Sequence, residues 1–300
     1  MKRFILILYN YIIFFLPGIL PELFKRLMNK DIIVLKGYLD MTLGIFHKQN
    51  WGDDMNVYLA QLWFNKKVIN YSSSFYSMFF GKRNYSLIGS ILQDADDRTI
   101  VWGSGLLYEN LYPREQPKKI YAVRGPLSRE VLIKHGINCP KVYGDPILLL
   151  PRYYHPQISK KYKIGIIPHF HDEENKLLSE YASLNNGIRI ISMKRYKKWE
   201  NVIDDILSCD LILSSSLHGL ILSDAYGIKN VWIEFEKQAE DKKFKFCDYF
   251  ASVHQDRTLP IIIKTILDFD IAKDKGLDYQ PIVIDLKPLI NNCPFTLPFS

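Results

Sequence analysis

Cysteine is scarce in this chain. The four present, Cys139, Cys209, Cys247 and Cys293, stand far apart and include no CxxC pair. That spacing suggests neither a zinc site nor a disulfide framework, and it fits reduced thiols in a cytosolic protein. No internal repeat and no low-complexity tract occurs, which excludes a solenoid and a biased, unfolded linker. Acidic residues are in deficit, 32 against 39 Lys and Arg, for a formal net charge of +7 and a pI near 9.0. Such a balance favours anionic partners: phosphates, acidic lipid surfaces or acidic glycans. The basic residues are scattered and form no nucleic-acid motif, so no nucleic-acid partner is expected. What remains is ordinary globular material, 48% hydrophobic and 24% charged over 300 residues, enough for one large domain or two medium ones.

Long apolar runs are missing too, with one exception. Lys2 and Arg3 precede an apolar stretch from Phe4 to Leu20, interrupted by Asn10 and Pro17. No small-residue cleavage site follows, which argues against a secretory signal. The run sits at the lower edge for crossing a bilayer, and Pro17 shortens its usable helix. Lys25, Arg26 and Lys30 follow it. Two readings stand side by side: a segment at an anionic membrane interface, or one packed on the protein body. The expected location is cytoplasmic, with peripheral contact at the inner face of the plasma membrane if the first holds.

Beyond this segment, β-rich runs alternate with helical patterns. Strands are expected at Asp31–Leu35, Thr99–Gly103, Ile120–Val123, Tyr162–Pro168, Ile188–Ser192, Leu211–Leu213 and Asn230–Glu234. Helical spacing marks Met55–Lys66, Pro126–His135, Glu200–Leu207 and Leu217–Tyr226, and also IIIKTILDF after Leu259. Apolar strands alternating with helices imply parallel sheets in α/β layers. The fold class expected is α/β, two doubly wound Rossmann-like domains with a ligand cleft between them. The polar, proline-bearing stretch after Pro151 marks the boundary. The expected divisions are 1–30 (apolar segment), 31–155, 156–255 (carrying the donor site) and 256–300, a tail packing across the body.

Several stretches could carry chemistry. In LILSSSLHGLILSDAYG, residues 211–227, a strand ends in Ser214, Ser215 and Ser216, and a helix starts at Leu217. His218 falls in its first turn, where unpaired N–H groups and the helix dipole favour an anion. Gly219 admits a ligand or backbone closely. The competing reading of His218 is a half-buried ring bonded to a carbonyl. In AVRGPLSRE, Arg124 stands between a strand and a helix, placed to clamp a planar anion, while Arg129 reads as a surface residue. In QNWGDDMN, one of Asp53 and Asp54 is expected to cap a helix and the other to bind or deprotonate a hydroxyl. His169, His171 and Asp172 in IIPHFHDE are too few for a persuasive metal site and suggest a ligand-lining loop. In VWGSGLL, Gly103 and Gly105 flank Ser104 in a small-residue turn after a strand, and one G-x-G without the helix and the third glycine is weak evidence for a dinucleotide.

Seven segments, QNWGDDMN, IVWGSGLL, YAVRGPLSREVL, VYGDPILLLP, KIGIIPHFHD, SSSLHGLILSDAYGI and KFCDYF, together resemble the polysaccharide pyruvyl transferase family in order and approximate spacing. The resemblance implies a GT-B-like pair of domains. It implies transfer of pyruvate from phosphoenolpyruvate, as co-substrate, onto two hydroxyls of a sugar, with no metal or other cofactor. It gives His218 and Arg124 catalytic importance, with Asp53 orienting an acceptor hydroxyl. Ser214, Ser215, Ser216, Gly219, His169, Gly103 and Ser104 are the implied donor-binding set. The sugar acceptor is expected on a lipid-linked oligosaccharide. One departure stands out: the family motif S-x-R-x-H-G has Ser216 here in the arginine position. That change keeps a second reading open, a GT-B glycosyltransferase using a sugar nucleotide, and a third, a non-catalytic glycan- or lipid-binding protein.

Overall fold

The computed structural model describes residues 31–42, 45–70, 83–235 and 243–299. The apolar segment 1–30 lies outside them. Strands β1 (Ile32–Leu35), β4 (Lys67–Asn70), β5 (Asn84–Ser86), β6 (Thr99–Trp102) and β7 (Lys119–Ala122) form a parallel sheet in the order β4-β1-β5-β6-β7. Strands β8 (Tyr162–Ile167), β9 (Ile188–Ile190), β10 (Cys209–Ser214), β11 (Lys229–Phe235) and β12 (Ile261–Ile263) form a second parallel sheet, β12-β11-β10-β8-β9. A small antiparallel hairpin, β2 (Asp40–Thr42) and β3 (Ile45–His47), follows β1.

Helices flank both sheets. They are α1 (Trp51–Leu62), α2 (Pro126–Lys134), α3 (Lys176–Leu184), α4 (Trp199–Leu207), α5 (Leu217–Ala225), α6 (Lys243–Ser252), α7 (Ile266–Lys275) and the short α8 (Lys287–Asn291). Counted by parallel strand, each sheet has the same winding: the second strand lies outside the first, and the third starts the other wing. In such sheets the chain leaves the first and third strands in opposite directions, opening a crevice at their carboxyl ends where ligands bind. The switch point falls between β1 and β5 in one sheet, and between β8 and β10 in the other.

Two expectations change. The helix of QNWGDDMN starts at Trp51 rather than Met55, because Asp53 and Asp54 suit a first turn. IIIKTILDF is not one helix: the β-branched Ile261–Ile263 pairs with β11 as an edge strand, and the helix starts only after Thr265, whose side chain forms a capping box with Asp268.

The two sheets share a buried interface. Trp51 donates its indole N–H to the Trp199 carbonyl at 2.8 Å and its backbone N–H to that of Met193 at 2.7 Å. Tyr196 donates its hydroxyl to Asp54 at 2.6 Å. The C-terminal tail returns to the first sheet, where the Trp102 indole bonds the Leu289 carbonyl at 2.9 Å and Phe295 stacks on Phe64 at 4.4 Å.

Candidate active site

A cavity of about 740 Å³ opens where the carboxyl ends of the two sheets face each other. Both switch points contribute to it. Tyr38 follows β1 and Ser90 follows β5; His169 follows β8, and Ser216 and His218 follow β10. The start of α1 adds Asn50 and Asp53, α6 adds Lys245, and loops add Lys48 and Lys194. Helix α5 meets the cavity by its N-terminus, and no side chain caps its first turn: Ser216 is the N-cap residue in extended conformation, and its carbonyl accepts the Leu220 N–H, but its hydroxyl makes no capping bond. An uncapped N-terminus leaves its N–H dipoles to be satisfied by something else, and an anion suits them.

His218 is seated against α1. A Cβ at Gly52 would stand 1.7 Å from the His218 Nδ1, so only glycine lets the ring lie there. The Nε2 is buried without a hydrogen bond, which is unusual for an imidazole and marks an unmet polar atom. Burial, with repulsion from Lys245 and then Arg124, pushes its pKa down to about 3, so the ring is neutral at pH 7. Asp53 moves the other way. Burial raises its pKa to about 6, and Asp54 adds to this; the Asn50 amide, 2.8 Å from Oδ2, and Lys245 oppose it. Lys245 therefore acts on both His218 and Asp53. Its Nζ stands 5.1 Å from the Phe246 ring centre, and little of its side chain reaches solvent.

The sequence candidates separate into two groups. His218, Asp53, Ser216 and His169 line the cavity. Ser215 acts one step behind, accepting the His169 backbone N–H at 2.7 Å. Ser214 is consumed within its own turn, donating to the Ile167 and Ser216 carbonyls and accepting the Ser216 N–H. Gly219 admits no ligand: a Cβ there would meet Ser214 Oγ at 2.5 Å, so the glycine serves packing of α5 on the strands. Gly103 and Ser104 sit away from the cavity. Gly103 has a φ of +99° and lies against Pro146, and the Ser104 hydroxyl pairs with that of Ser86 at 2.8 Å. Of the acidic pair in α1, Asp54 is the structural member: it accepts from Tyr196 and from the Gln49 backbone N–H, while Asn50 holds the N-cap position.

Arg124 does not line the cavity. It is fully buried and faces Asp248 of α6, with Nε and Nη2 each 3.0 Å from Oδ2. The rest of its fork donates to the Ser90 hydroxyl and the Leu106 carbonyl, both at 2.8 Å. Asp248 also accepts the Ser128 backbone N–H and hydroxyl at 2.7 Å. This network locks α6, and with it Lys245, onto the turn between β7 and α2. Gly125 permits the contact, since a Cβ there would stand 1.9 Å from the Asp248 carbonyl oxygen.

Sequence reasoning missed Lys245, Asp248, Asn50 and Ser90. Lys245 and Asp248 both lie in KFCDYF, where their three-residue spacing on a helix was the available signal. Among the described residues, no group of three His, Cys, Asp or Glu side chains is placed to hold a metal.

The sequence profile of the family described as polysaccharide pyruvyl transferase matches residues 2–236. The chain is 24% identical over 253 residues to uncharacterized protein L143 of Acanthamoeba polyphaga mimivirus, covering 81% of this chain and 84% of that one. It is 24% identical over 239 residues to the succinoglycan biosynthesis protein ExoV of Rhizobium meliloti (strain 1021), covering 77% and 71%. With a match over most of its length, the chain belongs to the polysaccharide pyruvyl transferase family.

Proposed function

We propose that the chain takes pyruvate from phosphoenolpyruvate and closes it as a ketal on two hydroxyls of one sugar. The observation that carries this reading is the meeting of a neutral histidine, a carboxylate titrating near 6 and a buried lysine at an uncapped helix N-terminus. Phosphoenolpyruvate is compact and highly anionic. Lys245 and the N-terminus of α5 face it with positive potential, and Lys48 and Lys194 stand at the cavity wall. The lysines supply charge that Ser216, in place of arginine, does not.

In the first step, Asp53 takes the proton of a sugar hydroxyl, whose oxygen attacks the enol carbon while the methylene carbon gains a proton. A pKa near 6 makes Asp53 a better base than an ordinary aspartate. In the second, the carbon–oxygen bond to phosphate breaks and a second hydroxyl oxygen takes its place. One hydroxyl proton ends on the methyl group and one on phosphate. His218 starts neutral; the bound anion raises its affinity for a proton, and the imidazolium then hands that proton on. Arg124 touches none of the reacting atoms in this scheme and acts as a positioning residue through Ser90 and Asp248.

The same reading takes the two sheets as Rossmann-like domains, 31–155 and 156–255, in a GT-B-like pair bridged by the tail 256–300. It places the acceptor on a lipid carrier at the cytoplasmic membrane face, with residues 1–30 as a peripheral contact. Among the described residues no helix is long and apolar enough to cross a membrane. Deleting residues 1–30 should release the protein from membranes; unchanged partitioning refutes that contact.

A sugar-nucleotide donor is the second reading, favoured by Ser216 at the cavity wall. Thermal shift separates the two: stabilisation by phosphoenolpyruvate supports pyruvyl transfer, whereas stabilisation by a sugar nucleotide alone supports the alternative.

A further inference from the structure

The first sheet has a switch-point crevice of its own, and its chemistry differs from that of the cavity. Between β1 and β5 lies a groove of about 600 Å³ lined by Lys36, Tyr38, Leu39, Asp40, Gln49 and Asp94. Tyr38, Asp40 and Gln49 also line the main cavity, so the two spaces share a wall.

Charge divides the two. The cavity sets Lys48, Lys194 and Lys245 against Asp40 and Asp53, a lysine excess. The groove has Asp40 and Asp94, and its one lysine, Lys36, is bound to Asp96 at 3.0 Å and to the Asp94 carbonyl. A phosphate-bearing ligand is repelled by such a wall, whereas neutral hydroxyls find acceptors in it.

Tyr38 gives the groove a flat apolar face. The residue is 57% exposed. The loop that carries it is fixed on both sides. Lys36 donates its backbone N–H to the Tyr85 carbonyl at 2.8 Å, and the Leu39 carbonyl accepts the Asn70 amide at 2.6 Å. Leu39 is buried. An exposed ring on an anchored loop beside carboxylates, with the Gln49 amide held 3.1 Å from Asp40, suits a ligand that has an apolar C–H face and a rim of hydroxyls. That ligand is a pyranose ring.

We propose that this groove holds the sugar next to the one that receives pyruvate, so that the acceptor is an oligosaccharide read through Tyr38, Asp40 and Gln49. The inference rests on the pyruvyl-transfer reading for the identity of the reacting sugar, but the groove is testable without turnover. In this arrangement the donor occupies the switch point of the second sheet and the acceptor chain that of the first, with Asp53 on the cavity side of their shared wall.

The test uses the purified full chain and three variants, Tyr38→Ala, Tyr38→Phe and Asp40→Asn. Saturation-transfer magnetic resonance measures binding of methyl β-glycosides and of the matching methyl β-disaccharides of glucose, galactose and N-acetylglucosamine. Phosphoenolpyruvate-induced thermal stabilisation is recorded in parallel. The native chain should bind at least one disaccharide about tenfold tighter than its monosaccharide, a gain on the scale of one aromatic contact. Tyr38→Ala should lose that gain, Tyr38→Phe should keep most of it, and Asp40→Asn should weaken it. Without ligand, the Tm of Tyr38→Ala should stay within about 2 °C of the native value, as for a surface substitution, showing that the variant is folded. The proposal is overturned if no disaccharide binds better than its monosaccharide, or if Tyr38→Ala binds disaccharides as the native chain does. Tyr38-dependent disaccharide binding without any response to phosphoenolpyruvate leaves the groove standing and sinks the donor assignment instead.

Discussion

Asp248→Asn should be among the most damaging single changes in this protein, although Asp248 does not line the cavity. Both Asp248 and Arg124 are 0% exposed at their side chains. The carboxylate takes two guanidinium nitrogens at 3.0 Å and the Ser128 N–H and hydroxyl at 2.7 Å. Asparagine keeps the shape but removes the charge and points an N–H group at donors. The arginine, with no solvent to turn to, becomes an uncompensated buried cation. Breaking a buried pair from one side costs about 3–5 kcal/mol. In a chain of 300 residues each kcal/mol lowers Tm by roughly 2 °C, for a fall of about 6–10 °C. Scanning calorimetry reads the fall, and high salt should not alter it, because a buried pair is poorly screened. The double change Arg124→Met with Asp248→Leu should recover part of the loss. A cost below about 1 kcal/mol, the level of an exposed pair, would refute the clamp. So would an Arg124→Met/Asp248→Leu chain no more stable than Asp248→Asn.

Three further outcomes follow from the cavity. Phosphoenolpyruvate binding at pH 7 should take up protons through His218, whose pKa starts near 3; calorimetric titration in buffers of different ionisation enthalpy detects this, and His218→Ala should abolish it. Turnover should decline as pH falls through about 6, where Asp53 gains a proton; a flat acid limb in the kcat/KM profile excludes Asp53 as the base. Gly52→Ala should leave the chain folded but cut activity sharply, because the new methyl would occupy the place of the His218 ring; near-native turnover would show that the ring position is unimportant.

Acid stability offers a check on the sign of the histidine shift. Between pH 6.5 and about 3 the unfolded chain holds a proton on His218 that the native chain does not. That group therefore favours unfolding progressively as pH falls through this window. Asp53, with its native pKa raised to about 6, has the opposite slope: native protein binds the extra proton from about 6 down to the ordinary aspartate value, so its burial costs stability above that window.

Much of the architecture is legible in local pattern. TIVW, YKIGII and CDLILS are largely apolar runs of strand length that stop at Gly103, Pro168 and the serines from 214, and each is an interior strand. His218 is legible for the same reason: a strand end, a turn of serines and a helix start fix its place at a carboxyl edge. IIIKTILDF misleads because three isoleucines satisfy either period until the partner β11 decides. Arg124 misleads in another way. Its position at a strand end is right for anion binding, yet what it meets is Asp248, at a separation of 124 residues. No local pattern encodes that encounter. Lys245 was hidden likewise, since a lysine on a helix shows its function only once the helix is docked against both His218 and Asp53.

The central claim is that His218, Asp53 and Lys245 make one cavity in which phosphoenolpyruvate gives its pyruvate to a sugar. The most direct measurement follows phosphoenolpyruvate isotopically labelled at its enol carbon, incubated with the full-length protein and a panel of lipid-linked and free oligosaccharides. The label should appear in a glycan-bound ketal carbon with one free phosphate released per transfer, and His218→Ala should abolish both. Label remaining in phosphoenolpyruvate across the panel, or transfer undiminished in His218→Ala, would contradict it.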